Sequence, residues 1–89
     1  KKSGNYAYNS YFSPDGGLLK IDILLDGPSS VDLLLCSLSG ICLFQKTLSE
    51  CDAGMYQETF DLTSLPSADY LLSVIINGEV NSEKILKNR

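Results

Sequence analysis

Residues 31–44 read VDLLLCSLSGICLF, two apolar runs separated by the polar stretch Ser-Leu-Ser-Gly. A short loop that ends in glycine is typical of a β-hairpin with a bulge, because glycine readily adopts the positive φ needed at the last loop position. This stretch therefore predicts two antiparallel strands that turn at Gly40. The predicted register places two pairs of residues opposite each other, namely Ser37 with Ile41 and Cys36 with Cys42.

Apolar and polar residues alternate in the segments on both sides of this hairpin. Upstream, LLKIDILLD (18–26) follows a turn signal at residues 14–17, and its period of two indicates a strand with one buried face. Downstream, a polar loop is predicted at residues 49–54, and the next strand at 55–61. That strand should present two faces, one with Tyr56, Glu58 and Phe60 and the other with Met55, Gln57 and Thr59.

The C-terminal third of the chain contains a second hairpin signal. YLLSVII (70–76) is a short continuous apolar run of the kind found in central strands, and a connection at 62–69 leads into it. The dipeptide Asn77-Gly78 that follows matches a type I′ turn, and residues 79–86 return as the last strand.

Six or seven strands separated by turns predict an all-β protein, specifically an immunoglobulin-like antiparallel β-sandwich. Residues 1–89 are expected to form a single domain. Residues 1–13 are polar and rich in tyrosine, and form either an N-terminal segment or an edge strand.

Composition excludes several classes of function. The 89 residues carry a formal charge of −4, which opposes nucleic-acid binding, and no apolar run is long enough for a transmembrane helix. The chain has no histidine, which removes the commonest general base, and its 11 carboxylates are scattered. We therefore expect a protein that is not an enzyme and that uses no cofactor and no metal.

The three cysteines lack the spacing of a zinc or redox site. Cys36 and Cys42, opposite each other in the predicted hairpin, are either a cross-strand disulfide or two buried reduced thiols. Cys51 lies in the predicted polar loop and is expected to be an exposed free thiol.

Three stretches of the sequence occur in a characteristic order. The hairpin 31–44 contains a Leu-Ser-Gly turn, FDLTSLPSADYLLSVI (60–75) contains Asp-Leu-x-x-Leu-Pro followed by Tyr, and NGEVNSEKILKNR (77–89) ends in a Lys-x-x-Lys tail. Together they resemble the C-terminal sorting domain of the type IX (Por) secretion system of Bacteroidetes. Small secreted domains of unknown function from gut Bacteroidetes share the pattern.

The resemblance implies a non-catalytic module that directs an attached cargo domain across the outer membrane and is read by the secretion machinery. It also implies a secreted or cell-surface location, with passage through the periplasm. The residues that carry the resemblance are Gly40, Asp61, Leu62, Leu65, Pro66, Tyr70, Lys84, Ile85 and Lys87.

The same residues also have a structural interpretation. Leu62, Leu65 and Pro66 are expected to form a hydrophobic corner, and Tyr70 to be a buried aromatic whose hydroxyl reaches a backbone partner. Lys84, Lys87 and Arg89 are either a docking surface or a solvated basic tail that keeps the last strand from pairing with another chain.

A binding module for a carbohydrate or protein ligand is the alternative function. Four aromatic residues near the N-terminus would offer stacking surfaces, unless they pack onto the sandwich as an edge strand: Tyr6, Tyr8, Tyr11 and Phe12. A structural spacer is a third function to consider. The apolar residues on both faces of the hairpin strands suggest a covered outer face, with a partner, a neighbouring domain or a second copy in a homodimer as its occupant.

Overall fold

The computed structural model of the chain describes residues 6–88, which form seven β-strands. The strands are β1 (Tyr6–Phe12), β2 (Leu18–Leu25), β3 (Ser29–Ser37), β4 (Cys42–Cys51), β5 (Gly54–Asp61), β6 (Ala68–Ile76) and β7 (Glu79–Lys87). They pair into a three-stranded sheet, β1-β2-β5, and a four-stranded sheet, β4-β3-β6-β7, in which all pairs are antiparallel. The predicted immunoglobulin-like sandwich is confirmed. Within residues 6–88 no helix has the length and apolar character needed to span a membrane.

The strand order differs in one respect from that of a constant-type immunoglobulin domain. In that fold the fourth strand lies in the same sheet as the first, second and fifth strands. Here β4 pairs with β3 instead, which gives three strands facing four. The hairpin at Gly40 therefore lies within one sheet, and the chain crosses between the sheets at residues 26–28, 52–53 and 62–67.

The core lies between the two sheets and follows the alternation seen in the sequence. Inward-facing positions of β2, β3 and β6 are buried, while the residues between them face outward. Most of the buried apolar side chains come from these three strands: Leu19, Ile21, Ile23, Leu25, Val31, Leu33, Leu35, Tyr70, Leu72, Val74 and Ile76. In β5 the predicted faces are also confirmed, since Tyr56, Glu58 and Phe60 are more buried than their neighbours.

Both predicted hairpin turns are confirmed by the backbone. Gly40 has a φ of +99°, and the amide of Ser37 donates to the carbonyl of Ile41 at 2.8 Å, as the predicted register requires. Asn77 and Gly78 both have positive φ, +53° and +84°, which is the signature of a type I′ turn. Glycine or asparagine at these positions avoids the steric strain that other residues would incur.

The predicted polar loop at 49–54 is wrong for most of its length. Strand β4 continues to Cys51 and β5 begins at Gly54, so two residues connect them. Cys51 pairs with Ser29, the first residue of β3, and is only 8% exposed. The expectation of an exposed Cys51 thiol is therefore overturned, because the ladder with β3 carries this residue into the core.

The tyrosine-rich segment is an edge strand from Tyr6 onward. Strand β1 pairs along its whole length with β2, from Tyr6 opposite Leu25 to Phe12 opposite Leu19. Residues 1–5 of the predicted N-terminal segment lie outside the described residues, as does Arg89 of the predicted basic tail.

The two ends of the sandwich carry different connections. We call the end with the β1–β2 turn, the Gly40 turn and the 62–67 crossover the corner end. The opposite end, which we call the far end, carries residues 26–28 and 52–53 and the Asn77-Gly78 turn. Strand β1 starts at the far end, and β7 finishes at the corner end.

Candidate functional site

The three stretches that carry the sequence resemblance meet at the corner end. Tyr70, at the start of β6, has Ser37 as its neighbour on β3 and Ile85 as its neighbour on β7. Ser37, Tyr70 and Ile85 belong to the first, second and third stretch respectively. The four-stranded sheet therefore joins segments that lie far apart in the sequence.

The crossover between the sheets begins with a tight turn at Asp61. The Asp61 carboxylate accepts hydrogen bonds from the Thr63 hydroxyl at 2.6 Å and from the Thr63 amide at 3.0 Å. These two bonds stabilise the charged carboxylate and hold the pKa of Asp61 below its usual range, the hydroxyl having the larger effect. Asp61 thus has a structural role in starting the crossover.

Leu62 and Leu65 fix the path of the crossover. Leu62 is fully buried, its amide donates to the carbonyl of Gly17 at 2.8 Å, and its carbonyl accepts from the Leu65 amide at 2.9 Å. Gly17 lies so close to the crossover that a Cβ atom there would be 2.5 Å from Cγ2 of Thr63. The β1–β2 turn and the crossover therefore pack directly against each other.

Tyr70 closes the corner. Its ring is buried, with 3% of the residue exposed, and its hydroxyl donates to the carbonyl of Pro66 at 2.6 Å. A tyrosine in this strand that bonds back to the preceding corner is a known feature of immunoglobulin-like domains, the tyrosine corner. The predicted backbone partner of Tyr70 is present. The predicted hydrophobic corner holds for buried Leu62 and half-buried Leu65, whereas the Pro66 side chain is exposed.

A shallow cleft lies beside this corner. Its volume is about 470 Å³, and most of its lining is apolar, with contributions from Leu38, Leu43, Leu65, Pro66 and Tyr70. Ser37 and Ser39 line it as well, and their hydroxyls lie 2.8 Å apart. The cleft thus combines side chains of the Gly40 turn with side chains of the crossover.

Three exposed apolar residues lie at the corner end. Leu38 is 60% exposed, Ile41 63% and Leu86 56%. Leu38 lines the cleft directly, and Leu86 is the β7 neighbour of the cleft residue Asp69. The sequence contained one signal for these residues, since leucine and isoleucine on either side of Ser39-Gly40 stand where hairpin turns are usually polar.

Lys84 and Lys87 of the predicted basic tail belong to strand β7. Lys84 lies on the outer face of the four-stranded sheet and is exposed, whereas Ile85 faces the core. Lys87 is 3% exposed and is still part of β7, opposite Ala68. The expectation of a solvated tail is therefore wrong for Lys87, because β7 extends one residue further than predicted and turns that side chain inward.

The N-terminal aromatic residues do not form one surface. Tyr6, Tyr8 and Phe12 face inward and pack against the core, as the edge-strand alternative predicts. Tyr11 faces outward, with 39% of the residue exposed. Because side chains alternate along a strand, Tyr11 is on the opposite face from the other three.

Tyr11 belongs to a polar group on the outer face of the three-stranded sheet. The Gln57 amide donates to the Tyr11 hydroxyl at 3.1 Å and to the Asp22 carboxylate at 2.7 Å. Partial burial, together with the Asp22 carboxylate, raises the pKa of Tyr11. This group offers one aromatic face next to a carboxylate and an amide.

Polar side chains also join β1 and β7, which are edge strands of the two sheets on the same side of the sandwich. The Ser10 hydroxyl donates to the Glu83 carboxylate, and the Asn81 amide donates to the Tyr6 hydroxyl at 2.9 Å. Burial raises the pKa of Tyr8, and the negative charge of Glu83 adds to this shift. At the opposite edge of the sandwich, Lys46 of β4 forms an ion pair with Glu58 of β5 at 3.0 Å.

The predicted pairing of Cys36 with Cys42 is confirmed as a register, and both thiols are free. Cys36 is half-buried and Cys42 is exposed. The interpretation as two buried thiols therefore fails for Cys42, because the pair lies on the outer face of the sheet.

No cluster of three or more histidine, cysteine or acidic side chains suited to a metal ion occurs in residues 6–88.

Neither models of known protein families nor curated proteins give a match to this chain.

Proposed function

We propose that this domain is a non-catalytic sorting module of the type IX class, which delivers an attached cargo to the cell surface or the medium. The observation that supports the proposal is the position of Tyr70 between Ser37 and Ile85. This position joins the three resembling stretches at one end of the sandwich. A surface built from all three could be recognised by one partner, the secretion machinery.

The residues at the corner end divide into two groups. Asp61, Leu62, Leu65, Pro66 and Tyr70 hold the crossover through hydrogen bonds and burial. The exposed apolar residues Leu38, Ile41 and Leu86 make no comparable contribution to the core. The second group supplies the docking surface, since apolar side chains with polar surroundings are typical of protein-binding patches.

Two residues depart from the pattern of the family. Ala68 stands where the family has glycine, and Ile41 stands where a basic residue is common. Ala68 opens β6 in extended conformation, and among the described non-glycine residues positive φ is confined to Glu50 and Asn77. The alanine is therefore accommodated without strain, and an apolar residue at position 41 extends the exposed patch.

Delivery of a reporter tests this proposal. A reporter is fused ahead of the domain in a Bacteroidetes host with a type IX system, and its surface fraction is measured by protease accessibility on intact cells. We expect the double variant Leu38→Ser/Ile41→Ser to retain the reporter inside the cell. The matched control is Met55→Ser/Val80→Ser, which changes two equally exposed apolar residues near the far end.

The control should be delivered like the unchanged domain. Failure of the unchanged domain to deliver the reporter, or equal delivery of both double variants, would contradict the proposal. Point variants are preferable to removal of residues 84–89, because Ile85 and Lys87 are buried parts of β7. Their removal would disturb the sheet and confound a docking defect with unfolding.

A binding module is the second candidate, and the outward-facing Tyr11 is the observation that favours it. An exposed aromatic ring beside the Asp22 carboxylate and the Gln57 amide can stack on a sugar ring and bond its hydroxyls. Carbohydrate is the ligand class that this combination fits. The three inward-facing aromatics no longer contribute to such a site.

Affinity electrophoresis in gels that contain soluble glucans, xylans or mannans tests the second candidate. Binding through this face would slow the protein in one of these gels, and Tyr11→Ala would restore its mobility. Thr59→Ala, on the same outer face, serves as the control. Unchanged mobility in every gel would remove the carbohydrate function.

A further inference from the structure

We propose that Cys36 and Cys42 form a site of reversible thiol oxidation, closing a cross-strand disulfide by exchange with a disulfide-bearing oxidant. The inference does not rest on the sorting function. It rests on the position of the two thiols in the β3–β4 ladder and on their exposure.

Ladder geometry brings the two cysteines close enough to bond. The Ser37 amide donates to the Ile41 carbonyl at 2.8 Å, which makes Ser37 and Ile41 the hydrogen-bonded pair. Hydrogen-bonded and non-hydrogen-bonded pairs alternate along an antiparallel ladder, so the next pair, Cys36 and Cys42, is non-hydrogen-bonded. Such pairs have Cα atoms about 4.5 Å apart and the closest side chains, within the range that disulfides span.

The ladder is irregular next to the two cysteines. The register shifts between Leu35 and Cys36, where Leu35 pairs with Phe44 and Cys36 with Cys42, so Leu43 is the extra residue of a bulge. A bulge interrupts the regular ladder, bends the strand and increases its local twist. The two cysteines thus lie between a bulge and a turn, where the ladder is least regular.

The exposure of the two thiols sets the order of the reaction. Cys42 is exposed, so its thiolate attacks one sulfur of the oxidant RSSR, releases RSH after protonation and leaves a mixed disulfide at Cys42. The Cys36 thiolate then attacks the Cys42 sulfur and releases the second RSH. The balance is one protein dithiol plus RSSR giving one protein disulfide plus two RSH.

Cys36 resists acting as the first nucleophile. Burial raises the pKa of the Cys36 thiol, and the neighbouring Cys42 raises it further. Cys36 becomes effective once Cys42 carries the leaving group beside it. The loop that the disulfide closes is short, and short loops gain less stability from cross-linking than long ones. Oxidation therefore fixes the Gly40 turn.

The third cysteine is an internal control for the proposal. Cys51 is buried, and its neighbour on β3 is Ser29, so no thiol lies opposite it. Proteolytic cleavage after lysine places Cys51 in a different peptide from Cys36 and Cys42. The peptide 21–46 contains both Cys36 and Cys42, and the peptide 47–84 contains Cys51.

The experiment treats the reduced, folded domain with oxidised glutathione, blocks the remaining thiols with iodoacetamide and measures peptide masses. We expect peptide 21–46 to carry no iodoacetamide label and to be lighter than the reduced peptide by about 2 Da, the mass of two hydrogens. A reducing agent should restore its two reactive thiols. Peptide 47–84 should carry one blocked thiol, because Cys51 stays reduced and iodoacetamide reaches it once the protein is denatured.

Two variants separate the steps. Cys36→Ser should stop at the mixed disulfide, with glutathione attached to residue 42. Cys51→Ser should close the disulfide at the rate of the unchanged protein. Two blocked thiols in peptide 21–46, or a stable glutathione adduct on Cys42 of the unchanged domain, would overturn the proposal. A cross-link between the two peptides would overturn it as well.

Discussion

The hydroxyl of Tyr70 donates a 2.6 Å hydrogen bond to the carbonyl of Pro66, and so ties the start of strand β6 to the crossover that precedes it. This bond satisfies a polar atom at the end of an otherwise apolar ring. It lies at the junction of the two sheets, where the chain leaves β5 and enters β6. The corner that carries the proposed sorting surface thus depends on one aromatic residue.

Substitution of Tyr70 should separate the contribution of the ring from that of the hydroxyl. Tyr70→Ala should lower the free energy of unfolding by about 3–5 kcal/mol, as for other large buried aromatics. Tyr70→Phe keeps the ring and should cost about 1 kcal/mol, the net value of one hydrogen bond. Urea denaturation followed by circular dichroism measures both. Equal losses for the two variants would mean that the ring contributes little.

Gly17 should not tolerate a methyl group. A Cβ at this position would be 2.5 Å from Cγ2 of Thr63, and Thr63 cannot rotate away without losing its hydroxyl bond to Asp61. Gly17→Ala should therefore destabilise the domain by about 1–3 kcal/mol, as other overpacked sites do.

Rescue by a second substitution tests the cause of this loss. Thr63→Ser removes the clashing methyl group and retains a hydroxyl for Asp61. The double variant Gly17→Ala/Thr63→Ser should recover most of the stability in thermal denaturation. An additive loss in the double variant would show that the clash is not responsible.

Acid should weaken the crossover through Asp61. The folded state lowers the pKa of this carboxyl, so its contribution is present above the unfolded pKa of about 3.9 and is lost as the pH falls through the folded value. Asp61→Asn retains an acceptor oxygen but does not titrate. Below about pH 4 the unchanged domain should lose stability more steeply than this variant. Parallel curves of unfolding free energy against pH would contradict the assignment.

Glu83 should control both the opening of β1 and the ionisation of Tyr8. Glu83 accepts a hydrogen bond from Ser10, and its charge adds to the raised pKa of Tyr8. Glu83→Gln should speed amide hydrogen exchange in β1 and lower the pKa of Tyr8 in a spectroscopic alkaline titration. Glu79→Gln, at an exposed position of the same strand, is the control and should change neither.

Local sequence rules predicted the elements that local interactions determine. The two hairpins followed from Gly40 and Asn77-Gly78, whose backbone requirements are independent of the rest of the fold. The partner of the Tyr70 hydroxyl was predicted in kind because a buried phenol requires one. The identity of that partner, Pro66, depends on the path of the crossover, which composition does not specify.

Features that depend on pairing between distant strands were predicted less well. Cys51 follows Ser49-Glu50 and precedes Asp52, a polar context that suggested a loop, but its pairing with Ser29 buries it. Lys87 is likewise buried, because β7 continues to this residue, opposite Ala68. The split of the aromatics was readable from the sequence, since positions 6, 8 and 12 share a parity that position 11 lacks.

Strand β1 starts at the far end of the sandwich, and β7 finishes at the corner end, so the chain enters and leaves the domain at opposite ends. A pulling force between residues 6 and 88 would therefore run along the strands. The hydrogen bonds of the β1–β2 and β6–β7 ladders lie across that direction, and they would share the load in shear. Many bonds must then break together before either terminal strand separates, which gives the domain mechanical resistance to tension along its long axis.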